Sequence, residues 1–279
     1  MGAPSLRAPA GLRALAPYRA AAFLRRDWAN ARSYRLAFVL ELLRSLFLLV
    51  LMFQVGRLVD RGPPDPALGD GYFSYALVGV AVLQVVQTAL QSFAQKLRDE
   101  QTTGTLEALL ATPMSPSRVI LASALYDVLA ALALAAVVVV LGFVMGVRLA
   151  VTPLSLVVAA VVVVGLLVLA AALGVAVAAF TVVFKRGMAV AWAVTSALSL
   201  LGGIFYPVDL LPGPLRWAAR ALPFTWGLDA LRAALLEAEA RIGTAFAVTA
   251  SAVALLAVAL WLFRLAVDRA RTLGSLAQY

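Results

Sequence analysis

The side chains that most often carry out chemistry in proteins are scarce in this 279-residue chain. It contains no cysteine and no histidine, which removes thiol nucleophiles, the usual general base and the commonest metal ligands. Its two lysines, Lys96 and Lys185, do not follow a glycine, so the phosphate-binding pattern G-x-x-x-x-G-K-[ST] is missing. We therefore expect no catalytic site, no bound metal and no cofactor, and ATP-driven work would require a separate ATPase chain.

A polar loop at 96–118 has the pattern of a docking element. Gly104 or Thr103 can cap a short helix, and Glu107 in its first turn suits the positive end of the helix dipole. Pro113 ends that helix after about two turns. Its apolar face is formed by Leu106, Leu109 and Leu110. A leucine face on so short a helix needs a cover, which is either lipid or a partner protein.

Two apolar segments carry stripes of uncharged polar side chains at helical spacing. One stripe consists of Gln84, Gln87, Thr88, Gln91 and Gln95, and the other of Thr195, Ser196 and Ser199. Polar groups in a membrane usually face the bundle interior or a cavity, so both stripes are candidates to line a translocation path for an amphiphilic substrate. The alternative is that they only bond neighbouring helices. The segment 156–180 has no polar side chain, and we expect it to face lipid.

Three charges and one aromatic turn complete the candidates. Glu41 and Arg44 stand three residues apart, where they can pair on one helix, and a gating role is the alternative. Asp127 is either a functional acid or a hydrogen-bonded structural carboxylate. Phe205, Tyr206 and Pro207 form a turn that is a candidate outer gate, although Tyr206 also suits an interfacial aromatic belt.

The elements that position these residues are membrane helices. Apolar residues make up 63% of the chain, and a bilayer core needs about 20 of them in a helix. Five windows of that length lack charge, and a sixth stretch, 36–56, is interrupted only by Glu41 and Arg44. The five windows are 71–95, 128–147, 149–184, 187–208 and 242–263. This distribution excludes a soluble enzyme and a DNA-binding domain, and it predicts an all-α membrane protein with six transmembrane helices.

Charge placement predicts the orientation. With the N-terminus inside, the inner segments carry 15 basic residues and the outer segments carry 7, which favours cytoplasmic N- and C-termini. The net charge of +9 then reflects insertion and contact with anionic lipid rather than a nucleic-acid partner. We divide the chain into a basic N-terminus at 1–35, a membrane domain at 36–268 and a cytoplasmic tail at 269–279. An interfacial amphipathic helix is expected at 17–33, because arginines and aromatic residues occupy opposite faces.

Two motifs resemble the permeases of type-2 ATP-binding-cassette (ABC) exporters. The first is Glu100-x-x-x-Gly104-Thr105-Leu106-Glu107-x-Leu109-x-x-Thr112-Pro113, which is similar to the coupling-helix loop of that family. The second is Gly203-x-Phe205-Tyr206-Pro207, followed by Leu211-Pro212, Leu222-Pro223 and Asp229-Ala230-Leu231-Arg232. It resembles the outer segment between spans five and six, where the family has short re-entrant helices.

The resemblance implies a half-transporter that works by alternating access. Two copies, identical or similar, would form the pore in a bacterial or archaeal cell membrane. Each would dock onto one of two cytoplasmic ATPase subunits that hold ATP and magnesium. The expected docking residues are Glu100, Gly104, Thr105, Leu106, Glu107, Leu109, Leu110, Thr112 and Pro113.

Other functions remain open. A secondary transporter or channel is one alternative, although we find no three-plus-three repeat and no intramembrane charge network. A mechanotransmitting or regulatory ABC membrane subunit without its own cargo is another, although such proteins usually have a large outer domain and the outer segments here are short.

Overall fold

The computed structural model describes residues 35–61, 71–102, 116–184 and 187–272. Within these ranges the chain is helical apart from short connections and has no strand, which agrees with the predicted all-α class. A 3₁₀ turn at Val208–Leu210 separates the fifth and sixth helices. The eight α-helices are α1 (Arg35–Val59), α2 (Tyr72–Thr102), α3 (Pro116–Val144), α4 (Pro153–Phe184), α5 (Gly187–Leu201), α6 (Gly213–Arg220), α7 (Pro223–Leu236) and α8 (Ile242–Thr272).

Five of these helices are long and apolar enough to cross a bilayer. Their apolar stretches are Val39–Val59, Tyr72–Ser92, Asp127–Val144, Pro153–Phe184 and Ile242–Arg269. Helix α5 has 15 residues, or about 22 Å at 1.5 Å per residue, against a hydrocarbon core of about 30 Å. The structure thus provides five candidate spans, and the sixth stays a prediction.

The fifth helix ends before its apolar window does because the backbone turns there. Gly203 has a φ of +69°, which a residue with a side chain rarely adopts. Pro207 then removes a backbone donor four residues later. The residues from Gly202 to Pro207 leave the helix, although their side chains are as apolar as those before them. Composition alone therefore overestimated the length of this helix.

Helix α2 lies at the centre of the bundle. It contacts α1, α3, α4, α5 and α7, and its apolar stretch is mostly buried, whereas that of α1 is mostly exposed. Exposed large apolar side chains such as Phe47, Val140 and Phe246 cover the outside of the other helices. In a membrane, lipid covers such a surface at no cost.

Helix α4 packs closely against α8 along one side. A Cβ atom on Gly165 would lie 2.9 Å from Thr249 Oγ1 and 3.3 Å from Val248 Cγ1, so the two backbones approach as only a glycine allows. On α8, Ala245, Val248 and Ala252 are buried on the same face. We call this contact the α4–α8 seam. The expectation that 156–180 faces lipid thus holds only for the other side of α4, where Val157, Val161 and Val164 are exposed.

Several predicted features lie outside the described residues. These are the interfacial helix at 17–33, the loop segment 103–115 and the residues after 272. The docking residues from Gly104 to Pro113 belong to this set. The helical backbone of α2 does continue to Thr102, and it therefore includes Glu100.

Candidate functional site

The polar stripe of α2 divides between a helix contact and a more open face. Gln84 is buried, and its Nε2 donates a hydrogen bond of 3.0 Å to Ser45 Oγ on α1. Ser45 in turn donates to the backbone oxygen of Glu41 at 2.9 Å. The other stripe residues are less covered: Gln87, Thr88 and Gln91 are half-buried, and Gln95 is exposed. Gln84 thus bonds a neighbouring helix, while the path-lining role of the stripe stays a prediction.

The three polar residues of α5 do not share one environment. Thr195 is buried, Ser196 is exposed, and Ser199 donates a hydrogen bond of 2.8 Å to the backbone oxygen of Thr195. Within the described residues, Thr195 Oγ1 is buried without a hydrogen-bond partner. Most buried side-chain hydroxyls have a hydrogen-bond partner, so this one is an exception. A path-lining role for this stripe is likewise a prediction.

All three charged candidates in the spans have partners. Arg44 pairs with Glu41 on α1, as their spacing predicts. Asp127 accepts a hydrogen bond from Ser92 Oγ, which joins α3 to α2. Ser92 could not be recognised from the sequence, because a lone serine in an apolar helix has no distinctive pattern.

The candidate outer gate is a turn packed against the end of the bundle. Phe205 is half-buried against the core, and Pro207 is buried. Tyr206 donates a hydrogen bond of 2.6 Å from its hydroxyl to the backbone oxygen of Leu200, which folds the turn back onto α5. The short helices α6 and α7 follow, and the exposed indole of Trp226 donates to the backbone oxygen of Arg220 at 2.7 Å.

The most strongly bonded side chain of this region is Arg232 on α7, which is only 4% exposed. Its guanidinium donates three hydrogen bonds to backbone oxygens. Nη1 bonds Gly203 at 2.9 Å, Nη2 bonds Ile204 at 3.1 Å and Nε bonds Tyr75 at 3.2 Å. Arg232 therefore connects three elements: α7, the turn after α5 and the first turn of α2.

Tyr75 and Asp229 complete this arginine cluster. The guanidinium lies 3.4 Å from the centroid of the Tyr75 ring, within the range of a cation–π contact. The Tyr75 hydroxyl donates to the Gly203 oxygen at 2.9 Å, and the Asp229 carboxylate lies 3.6 Å from Arg232 Nη1. Burial lowers the pKa of Arg232 to about 10 and raises the pKa of Asp229. The arginine nevertheless stays charged at neutral pH.

The cluster also depends on a close backbone approach. A Cβ atom on Gly79 would lie 2.4 Å from the Ile204 oxygen and 2.9 Å from Arg232 Nη2. Only glycine therefore fits at this position of α2. In the sequence, Asp229 and Arg232 stand out only as part of the motif that resembles the exporter permeases. The sequence offered one indication that Arg232 bonds other elements. An arginine follows an aspartate by three residues in a helix that is otherwise almost wholly apolar.

The described residues do not form a metal centre: no three acidic side chains among them come together as ligands. What the described residues do form is a central helix bonded to its neighbours and a turn held against the end of the bundle.

Comparison with known protein families gives a match over most of the chain. The family model for the ABC-2 type transporter matches residues 20–236. No curated protein is similar enough to the chain to count as a match.

Proposed function

Because the chain belongs to the ABC-2 type transporter family, whose model matches more than half of its length, we propose that it is the permease subunit of an ATP-driven exporter. In this family the membrane domain is a permease component, and a separate subunit hydrolyses ATP. The export direction and an amphiphilic substrate are the finer parts of the proposal. The export direction rests on the resemblance of the two sequence motifs to exporter permeases. The amphiphilic substrate rests on the uncharged polar stripes of α2 and α5, which offer hydrogen bonds but no fixed charge.

The observation that carries the proposal is the position of the docking motif directly after α2. The helix packs against five others and continues to Thr102, where the segment 103–115 begins. A displacement at that end would be passed to the bundle, since packed helices move as rigid elements. Leu106, Leu109 and Leu110 would supply apolar contact with the ATPase, and Glu100 and Glu107 would fix its register.

The arginine cluster supports a connection between α2 and the outer gate. Arg232 and Tyr75 bond the same carbonyl of Gly203, two residues before Phe205. A movement of α2 would therefore carry the gate turn with it. In this proposal Gln87, Thr88, Gln91, Thr195, Ser196 and Ser199 contribute to the path, with Gln84 holding α1 in place.

The proposed assembly contains two permease copies and two ATPase subunits in the inner membrane. The second copy is this chain or a similar one, and both termini lie in the cytoplasm. Helix α5 together with the residues up to Pro207 would be the fifth span in chain order. It would be incomplete, and it would bring the number of spans to six. The family implies pairing with an ABC ATPase. The number of copies of each subunit is part of the proposal.

A docking experiment tests the proposal. We expect Leu106→Asp to abolish co-purification of the ATPase and its substrate-stimulated ATP hydrolysis, since a charge would be buried in the apolar contact. Leu210→Asp is the matched control, because Leu210 is 68% exposed and lies in the 3₁₀ turn. Both variants should elute and melt as the wild type does. Retention of the ATPase by Leu106→Asp would refute the docking role.

A transport experiment tests the direction. Inside-out vesicles with permease and ATPase should accumulate rhodamine 6G or a fluorescent phospholipid analogue when ATP is added. The Leu106→Asp vesicles are the control. Accumulation in right-side-out vesicles instead would make the protein an importer, and equal ATP hydrolysis without any movement of cargo would favour a regulatory subunit.

A further inference from the structure

An apolar cavity of about 200 Å³ lies between α2, α3, α4 and α7. Its wall includes Ala81 and Val85 of α2, Ala136 and Phe143 of α3, Leu167 of α4 and Leu231 of α7. Almost no polar surface reaches it. An apolar cavity of roughly 150 Å³ stays free of water and binds benzene, so this one has room for a hydrocarbon group of somewhat larger size.

The cavity reaches the outer surface of the bundle through α3. Phe143 lines it and is 45% exposed, and Ala136 lines it and is also exposed. Both residues belong to the membrane-length stretch Asp127–Val144. The opening therefore lies at the level where hydrocarbon chains surround the protein, and an apolar occupant can enter sideways without crossing water.

A single positive charge stands beside the cavity. Val147 and Leu149 both line it, and Arg148 lies between them in the connection from α3 to α4. Arg148 is exposed and is the one charged residue between positions 128 and 184. Among the side chains that the structure describes, no carboxylate pairs with it. Because α3 ends at Val144 and α4 begins at Pro153, Arg148 lies at the membrane surface.

We propose that this cavity binds a segment of one acyl chain of an anionic phospholipid, whose phosphate is held by Arg148. The two features match the two parts of such a lipid: an apolar cavity open to the hydrocarbon layer, and a guanidinium at headgroup level that no carboxylate of the described residues pairs with. The lipid stays bound within one subunit and takes no part in the path of the cargo. It fills a space that would otherwise weaken the packing of α2 against α3 and α4.

Photolabelling of the full chain tests the proposal. The purified protein is placed in phosphatidylcholine vesicles containing a minor fraction of phosphatidylglycerol with a diazirine on one acyl chain. We expect cross-links on Val139 and Phe143, which line the cavity, in excess of those on Val137 and Val140, which are exposed on the same helix but do not line it. Equal labelling of both pairs would overturn the proposal, because it would show only annular lipid.

Two matched pairs of variants separate the chain site from the headgroup site. Ala136→Phe should fill the cavity and reduce labelling of its wall to the level of the outer face. Ala133→Phe is the control on the same helix, since Ala133 is exposed and does not line the cavity. Arg148→Gln should reduce the preference for phosphatidylglycerol over phosphatidylcholine about fivefold, whereas Arg57→Gln, at the end of α1, should leave it unchanged. An unaltered preference in Arg148→Gln would refute the headgroup contact.

Thermal unfolding in detergent distinguishes a lipid from a free anion. Added phosphatidylglycerol should raise the melting temperature of the wild type more than that of Ala136→Phe, and inorganic phosphate alone should not. Stabilisation by phosphate alone would overturn the proposal, as would an equal response of both proteins to the lipid. These readouts need no ATPase, so their failure would leave the exporter proposal untouched.

Discussion

Two regions of this molecule hold helices together by opposite means. In the arginine cluster, Arg232 joins α7, α2 and the turn after α5 through three hydrogen bonds and a ring contact. In the α4–α8 seam, Gly165 lets two regular helices approach with little more than van der Waals contact. The difference follows from the backbone. A regular helix satisfies its own carbonyls, whereas the turn at Gly203 and Ile204 leaves carbonyls that a side chain must satisfy.

Substitutions should destabilise the two regions in different ways. Removing the Arg232 side chain takes its donor from the Ile204 oxygen and one of two side-chain donors from the Gly203 oxygen, and each lost partner costs free energy. Adding a side chain to the seam costs only the strain of separating two helices. The cluster should therefore be the more sensitive region, and the variants below test this ranking from the largest expected effect to the smallest.

The largest effect is expected for Arg232→Met. The substitution preserves apolar bulk but removes all three hydrogen bonds that Arg232 donates to the backbone oxygens of Gly203, Ile204 and Tyr75, and we expect about 3–5 kcal/mol of lost stability. The melting temperature in detergent and the yield of monodisperse protein measure it. Arg216→Met is the control, since Arg216 is less buried and bonds a single carbonyl, that of Leu211. If both variants melt alike, the cluster has no special role.

A smaller effect is expected for Gly165→Ala in the seam. The new Cβ would lie 2.9 Å from Thr249 Oγ1, and overpacking of this kind costs about 1–3 kcal/mol. Thr249→Ala in the same chain should restore part of the loss by removing that oxygen. At Gly243, on the same helix as Thr249, a Cβ would meet nothing within 4 Å, so Gly243→Ala should not destabilise. A loss in Gly243→Ala equal to that in Gly165→Ala would argue against close packing as the cause.

A contact between α1 and α2 should rank below both regions. Gln84→Leu removes the hydrogen bond to Ser45, and such interhelical bonds in membranes average about 0.6 kcal/mol. A double-mutant cycle with Ser45→Ala measures the coupling between the two side chains. A coupling as large as the effect of Arg232→Met would show that α1 is held as firmly as the turn after α5. That result would contradict the ranking, which expects weak attachment because α1 is mostly exposed.

The smallest effect concerns an exposed pair just before α8. Arg241 donates to Glu239 at 2.7 and 2.9 Å, and this bond lowers the pKa of Glu239 below its ordinary value of 4.5. The stabilisation is therefore complete above pH 4.5 and is lost as the pH falls through the lowered pKa. Melting curves of wild type and Glu239→Gln should differ slightly at pH 7 and converge in acid. A difference that grows in acid would contradict this sign.

The candidate site was partly accessible from the sequence. The pairing of Glu41 with Arg44 followed from a spacing of three residues on one helix. The family followed from motifs in the loop after α2 and in the segment from Gly203 to Arg232. The partners of Arg232 could not be inferred, because Tyr75 lies 157 residues away and offers a backbone carbonyl, which every residue has. A hydrogen-bonded carboxylate was one of the two alternatives for Asp127, but its donor Ser92 could not be inferred, since a lone serine in an apolar helix has no distinctive local pattern.

The amino-acid sequence alone determined that this is a helical membrane protein, because the spacing of charges along a chain decides which segments a bilayer accepts. It also placed the proposed docking motif at the end of α2. Only the tertiary structure decided where α5 ends and which side of α4 is packed. It also decided which side chain holds the turn after α5 and where a cavity lies between α2, α3, α4 and α7. These features depend on contacts between residues far apart in the chain, and the free energy of such contacts is set by distances that no local pattern specifies.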